Sequence, residues 1–222
     1  ALEIAVLTTL HSTDNKTIHI TIQTAANSLQ KKAIRYDRDE DHHYDTISAF
    51  IKSIRGSDPD AGIYWLAKML QAGEDPRFIA RRLVIIASED IGNADPRALP
   101  LAVSAMQAAE FIGMPEARIT LAQATTYLAA APKSNAAYKA ICSAMEDIEN
   151  GRIQDVPDYL QSGKKIAPAT QAYKYAHDGD GHFVDQSYMK KPITYYYPTE
   201  EGFEKRIKQR LGELEKRRDA ST

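Results

Sequence analysis

The chain has 222 residues, 26% of them charged, and a formal net charge of -2, ordinary values for a water-facing globular chain. Such a length admits one large domain or a medium domain with appendages, and the composition excludes wholesale disorder. One cysteine excludes a disulfide framework and a multi-cysteine zinc site, no run reaches the ~18 apolar residues of a membrane span, and the near-zero charge means that any nucleic-acid contact needs a local patch.

Ala1-Leu2-Glu3-Ile4-Ala5-Val6-Leu7 opens with neither Met nor a cap, which reads as helix interior in a chain cut from a longer protein. No signal-peptide pattern precedes it, so the expected compartment is cytosolic. Residues 1–10 read as the end of an apolar helix, 11–16 as a loop, Thr17-Ile18-His19-Ile20 as a short strand, and Thr21 as the cap of a helix to Lys32. Residues 35–43, dense in charge and without period, read as a linker.

From Tyr44 the helical period is clear. Tyr44, Ile47, Phe50, Ile51 and Ile54 form one predicted apolar stripe. Three corners follow, Gly56-Ser57-Asp58-Pro59, Gly73-Glu74-Asp75-Pro76 and Gly92-Asn93-Ala94-Asp95-Pro96, with Gly113-Met114-Pro115-Glu116 as a variant. Glycine suits the left-handed residue that ends a helix, Asp caps the next one, and Pro tolerates its first position. The expected helix Pro76–Ile91 carries a wide apolar arc and reads as central. From 98 to 131 the only charges are Glu110, Glu116 and Arg118, so these two helices need cover nearly all round, from their own domain or from another subunit. A sixth helix, 135–150, is read with Tyr138, Ile141, Met145 and Ile148 inward, and with Cys142 as a small buried hydrophobe. Val156–Leu160 reads as a short helical turn and 163–198 as an irregular Tyr-rich tail. Residues 200–218 form an amphipathic helix with Phe203, Ile207, Leu211 and Leu214 on one stripe, its acidic start and basic end suiting the helix dipole. The predicted fold is therefore all-α: antiparallel helices joined by tight Gly–Asp-Pro corners, then an irregular tail and a terminal helix.

Several patterns could carry chemistry. Val84–Asp90 imitates an apolar strand ending in magnesium-holding acids, but it sits within a helical pattern and the chain has no phosphate loop. His177-Asp178-Gly179-Asp180-Gly181-His182 groups metal-ligand types with no third clustered site, so a plain tail loop is preferred and no metal ligands are assigned. Lys52, Arg55, Arg77, Arg81 and Arg82 stand near the corners and are the candidate DNA-binding residues. The competing reading pairs them with Asp58, Asp60, Asp75, Glu89 and Asp90. An enzyme site around Arg77, Arg81, Glu89 and Asp90 is the alternative function. No residue is assigned a catalytic or cofactor-binding role. Tyr195-Tyr196-Tyr197-Pro198 could stack bases, though such runs more often staple a tail to its domain.

The words Lys52-Ser53-Ile54-Arg55-Gly56-Ser57-Asp58-Pro59-Asp60-Ala61, Gly73–Leu83, Ala87-Ser88-Glu89-Asp90-Ile91-Gly92-Asn93-Ala94-Asp95-Pro96 and Ala131-Pro132-Lys133-Ser134-Asn135 carry a resemblance. They make the chain similar to the C-terminal part of the replication-associated recombination protein A family (RarA, or MgsA), whose eukaryotic relative is the Werner-helicase-interacting protein. The resemblance implies a clamp-loader-like AAA+ ATPase acting in DNA replication, recombination and repair at stalled forks. Its ATP and Mg site would lie upstream of Ala1, and this part would have no catalysis of its own. Residues 1–34 would end the AAA+ lid domain, 35–43 link, 44–162 form a helical oligomerisation domain, and 163–222 pack a tail and helix upon it. The implied partners are further copies in a homotetramer, DNA at forks, gaps and single-strand ends, and single-stranded DNA-binding protein, with no membrane. The implied location is cytoplasmic, at the nucleoid. The tail departs from the family pattern in Ala176, where proline is usual, and in the Gly179–Phe183 loop.

Overall fold

A computed structural model describes residues 40–162 and 172–220, with side chains from Tyr44 onward. The expectations for residues 1–39 and 163–171 lie outside the described residues. Among the described residues seven α-helices run α1 (Glu40–Arg55), α2 (Pro59–Gln71), α3 (Pro76–Ile86), α4 (Ala98–Ile112), α5 (Ala117–Ala130), α6 (Ala136–Glu149) and α7 (Glu204–Asp219). A π-helical turn (Ala87–Ile91) and a 3-10 turn (Gly92–Ala94) follow α3, and short 3-10 turns mark Asp158–Leu160, Ala176–Asp178 and Asp180–His182. The described residues contain no strand, and the fold is all-α. None of the described helices is long and apolar enough to cross a membrane.

The corners work by capping chemistry. Asp58 accepts the Ala61 N–H at 2.9 Å and Pro59 occupies the first turn of α2. Asp75 accepts the Arg77 N–H at 2.9 Å, and Asp95 that of Arg97 at 3.1 Å. Gly73 ends α2 in the left-handed region at φ 85°, with Glu74 N–H returning to Met69 O at 3.0 Å. The first corner differs from expectation. Its left-handed residue is Ser57, φ 62°, and Asp58 N–H returns to Ser53 O at 2.9 Å. The helix ends one residue later than the glycine implied, so Gly56 keeps a conformation open to any residue. A further difference lies upstream: α1 reaches back through residues 40–43, which the charge density assigned to a linker.

The chain divides into two compact units, residues 1–86 with 100–130 and residues 87–99 with 131–222. In the first, Phe50 and Ile54 of α1, Leu66 and Met69 of α2, and Ile79, Leu83 and Ile86 of α3 are buried. They close around α5, whose Leu121, Ala124, Thr125 and Leu128 are fully covered and which packs on α1, α2 and α3. The centre is thus α5 as well as α3. Tyr44 leaves the expected stripe of α1 and is exposed. In the second unit α6 and α7 pack on the Gly92–Ala94 turn. Two expectations fail there. Tyr138, Ile141, Met145 and Ile148 of α6 face outward, 46% to 59% exposed, and Cys142 is exposed. The stripe exists as the period requires, but it faces outward rather than into this unit.

Candidate functional site

Three words far apart in sequence meet in the second unit. The α-helical pattern of α3 yields to the π turn Ala87–Ile91, a widened turn often found at functional positions. Asp90 O accepts the Ser134 N–H at 2.8 Å, fastening the 132–135 segment to that turn. Ser134 Oγ in turn donates to Glu204 at the start of α7, a carboxylate with no exposed surface. Tyr196 Oη at 2.6 Å, Thr199 Oγ1 at 2.6 Å and Thr199 N–H at 3.1 Å also donate to Glu204. Asn93 Nδ2 reaches Tyr196 Oη at 3.1 Å, completing the circuit back to the turn. Burial pushes the Glu204 carboxyl up, but the donors from Ser134, Thr199 and Tyr196 outweigh it and hold the group below its ordinary value of 4.5. Tyr196 is moved the other way, up, by burial and by its bond to Glu204.

This cluster is a latch. Oε2 of Glu204 takes three donors and Oε1 one, and the buried carboxylate presents no oxygen at the surface. Gly202 lets it form: its φ is 51°, and a Cβ there would collide with Ala94 O, which the Phe203 N–H reaches at 2.7 Å. Tyr195 adds a second fastening, donating to Asp147 of α6 at 2.9 Å. Two tyrosines of the 195–197 run therefore pin the tail, while Tyr197 is exposed. Beside them Lys133 donates to Ala131 O at 2.6 Å, and burial lowers its pKa against the pull of Asp90.

The candidate DNA-binding cations all lie in the first unit. Lys52 and Arg55 occupy the exposed last turn of α1, and Arg77 and Arg81 stand four residues apart on one face of α3. Asp75 accepts the Arg77 backbone N–H and, at 3.2 Å, its Nε, which together lower the aspartate's pKa, and the side-chain bond raises the arginine's. Arg81 lies 5.8 Å from the Phe78 ring centroid, in cation–π range. Arg82 is half-buried, and its Nε has no hydrogen-bond partner. Arg77 is thus paired with Asp75, while Lys52 and Arg81 are exposed. Of the alternative enzyme set, Glu89 and Asp90 sit in the π turn, with Asp90 buried and its carbonyl committed to Ser134.

The apolar surface is the part that sequence reasoning placed wrongly. On α6 the stripe Tyr138, Ile141, Met145, Ile148 follows a 3-4-3 spacing and faces out. Lys139, Cys142, Glu146 and Glu149 run along its flank in the same spacing. In the first unit Phe111 is 93% exposed at the end of α4, with Ile112, Met114 and Ile119 beside it in sequence and also exposed. A groove of about 660 Å³ there lies between α2 and the start of α5, lined by Ile63, Leu66, Leu70, Met114, Ile119 and Arg118. The low charge of 98–131 is met for α5 by cover from α1, α2 and α3; for α6 period alone could not say which side of the stripe was covered.

The described residues form an all-α body whose corners are capped, and comparison with known proteins gives its class. A family model described as the MgsA AAA+ ATPase C terminal matches residues 56–215, and one described as the AAA C-terminal domain matches residues 1–55. The chain belongs to the MgsA AAA+ ATPase C-terminal family. It is 47% identical to the replication-associated recombination protein A of Bacillus subtilis over 98% of this chain and 53% of that one. It is 52% identical to a Mycobacterium tuberculosis protein described as an uncharacterized AAA domain-containing protein, over 88% of this chain and 45% of that one. It is 40% identical to the ATPase WRNIP1 of Dictyostelium discoideum, over 82% of this chain and 22% of that one. The chain spans about half the length of the first two relatives.

Proposed function

We propose that this chain is the self-association and DNA-engaging part of a AAA+ ATPase that works in replication-associated recombination and repair. ATP and Mg are bound by a part of the protein that the relatives have and this chain does not span, and the chain itself supplies assembly and contact. The observation that carries the reading is the outward stripe of α6. Four large apolar side chains on one helix face are costly to leave in water, at about 25 cal/mol per Å² of apolar surface, and a soluble protein tolerates them where a partner covers them.

A second copy is the partner that fits. Lys139 stands toward the N-terminal end of the flank and Glu146 and Glu149 toward its C-terminal end, where acids oppose the helix dipole. An antiparallel copy lays its own N-terminal end and Lys139 against those acids, which an isologous two-fold contact does on both sides at once. The exposed Phe111 region is a separate apolar patch in the other unit. Two different self-complementary patches are what a tetramer of two-fold symmetry requires.

Light scattering of the chain at increasing concentration tests this. The expected mass is a multiple of the monomer's, and Ile141→Asp with Met145→Asp lowers it while leaving the thermal melt of the monomer in place, because both side chains are already exposed. A wild-type chain that stays monomeric at hundreds of micromolar overturns the assembly reading.

A further inference from the structure

The 176–182 loop is folded so that two histidines face each other. His177 Nδ1 and His182 Nδ1 lie 3.3 Å apart, with ring centroids 5.0 Å apart and planes at 62°. Both side chains are exposed to solvent. At that separation one ring donates its Nδ1–H to the other in the metal-free chain, the roles depending on the tautomer. The separation also matches the edge of a tetrahedron: two nitrogens each about 2.05 Å from one zinc ion, at the tetrahedral angle, are about 3.3 Å apart, with ring centres about 5 Å apart.

The loop backbone that brings the two rings together is tightly bent and held from outside. Gly179 allows the chain to double back, since a Cβ there would collide with Phe183 O. Gly181 has φ 61°, and a Cβ on it would stand 2.8 Å from Arg217 Nη1. His182 itself takes a left-handed φ of 56°, an unfavourable conformation for a residue with a side chain. Arg217 of α7 holds the loop in that shape through Asp180 O at 3.2 Å and Asp180 Oδ2 at 3.3 Å, which also removes that carboxylate from competition.

We infer that His177 and His182 form a two-histidine site for a divalent transition metal of the zinc type, bound through both Nδ1 atoms. Among the described residues no third histidine, cysteine or carboxylate completes a metal-holding group, so water fills the remaining positions. Imidazole nitrogen selects zinc, copper or nickel over magnesium and calcium, which want oxygen. The ion closes a six-residue loop that Arg217 ties to α7, so it acts as a staple on the tail. This goes beyond the assembly reading and does not depend on it.

The test is titration of the chain with Zn²⁺ alone, followed by calorimetry and by the ¹⁵N shifts of the imidazoles. One saturable site is expected, with both Nδ1 atoms of His177 and His182 moving. His177→Gln and His182→Gln are each expected to weaken it at least tenfold, while the double change His42→Gln with His43→Gln leaves it intact. Zinc is also expected to raise the melting temperature of the wild type and not that of His177→Gln, as binding to the folded state requires. Lowering the pH releases the ion, because a protonated imidazole has no lone pair to give. No saturable uptake at millimolar zinc, or uptake unaffected by both single changes, overturns the site.

Discussion

Glu204 shows how one side chain decides whether the tail belongs to the fold. A carboxylate with no exposed surface is tolerated because Ser134, Tyr196 and Thr199 all donate to it, with Ser134 distant in sequence from the other two. Removing it strands those donors as well as the space it fills. Glu204→Ala is therefore expected to cost roughly 2–4 kcal/mol, each orphaned buried donor contributing about 1–3. Denaturant unfolding measures it, and a loss below about 0.5 kcal/mol would sink the latch. The pH dependence has its source in the same bonds. The folded carboxyl titrates below its ordinary 4.5, so its contribution is complete above that value and is lost as the pH falls through the depressed native one. Melts from pH 7 to 3 should show that acid loss in the wild type and a flatter acid limb in Glu204→Gln. Little of this was legible in the sequence, because Ser134 and Glu204 are 70 positions apart and nothing local marks either as a partner. The Tyr195–Tyr197 run was legible as a staple because aromatic runs in a polar tail have few other uses.

At the level of helices, the corners could be read in advance because their chemistry is local. Cap, proline and left-handed residue lie within four positions, and the side chains that satisfy them are their own neighbours. Even so Ser57 replaces Gly56 as the left-handed residue, since the end of α1 can slide by one residue while Asp58 still caps α2. Ser57→Gly should remove the strain of that conformation and stabilise the first unit by up to about 1 kcal/mol, read as a higher midpoint in urea. The stripe of α6 was legible as a stripe but not as a surface, for period reports one-sidedness and is silent on what lies opposite. The crossing of α2 and α5 was not legible at all. Gly62 sits where a Cβ would meet Thr125 Cγ2 at 3.1 Å and Ile54 Cγ1 at 3.6 Å, in the packed centre of the first unit. Gly62→Val is expected to overpack this crossing and cost about 1–3 kcal/mol; an unchanged stability would mean the helices part freely, against the buried state of Thr125, Ile54 and Leu121.

For the molecule as a whole, the charge balance frames what DNA contact can mean. With a net charge of -2 there is no overall attraction to a polyanion, so affinity has to come from a few placed cations. Lys52, Arg55, Arg77 and Arg81 of the candidate set are exposed and Arg82 is half-buried; Arg77 is paired with Asp75, and Lys52 and Arg81 are taken as the pair to test. Each phosphate contact contributes a slope of about -0.9 in log affinity against log salt. Reversing Lys52 and Arg81 together, Lys52→Glu with Arg81→Glu, should therefore flatten that slope by about two and weaken binding to single-stranded or forked DNA at least tenfold, without moving the melting temperature, because both side chains stand at the surface. The measurement is fluorescence anisotropy with labelled DNA over a range of salt concentrations. It should be repeated across protein concentrations, because self-association would multiply weak contacts through their effective concentration. A double variant that keeps both affinity and slope would overturn DNA contact through this pair of cations.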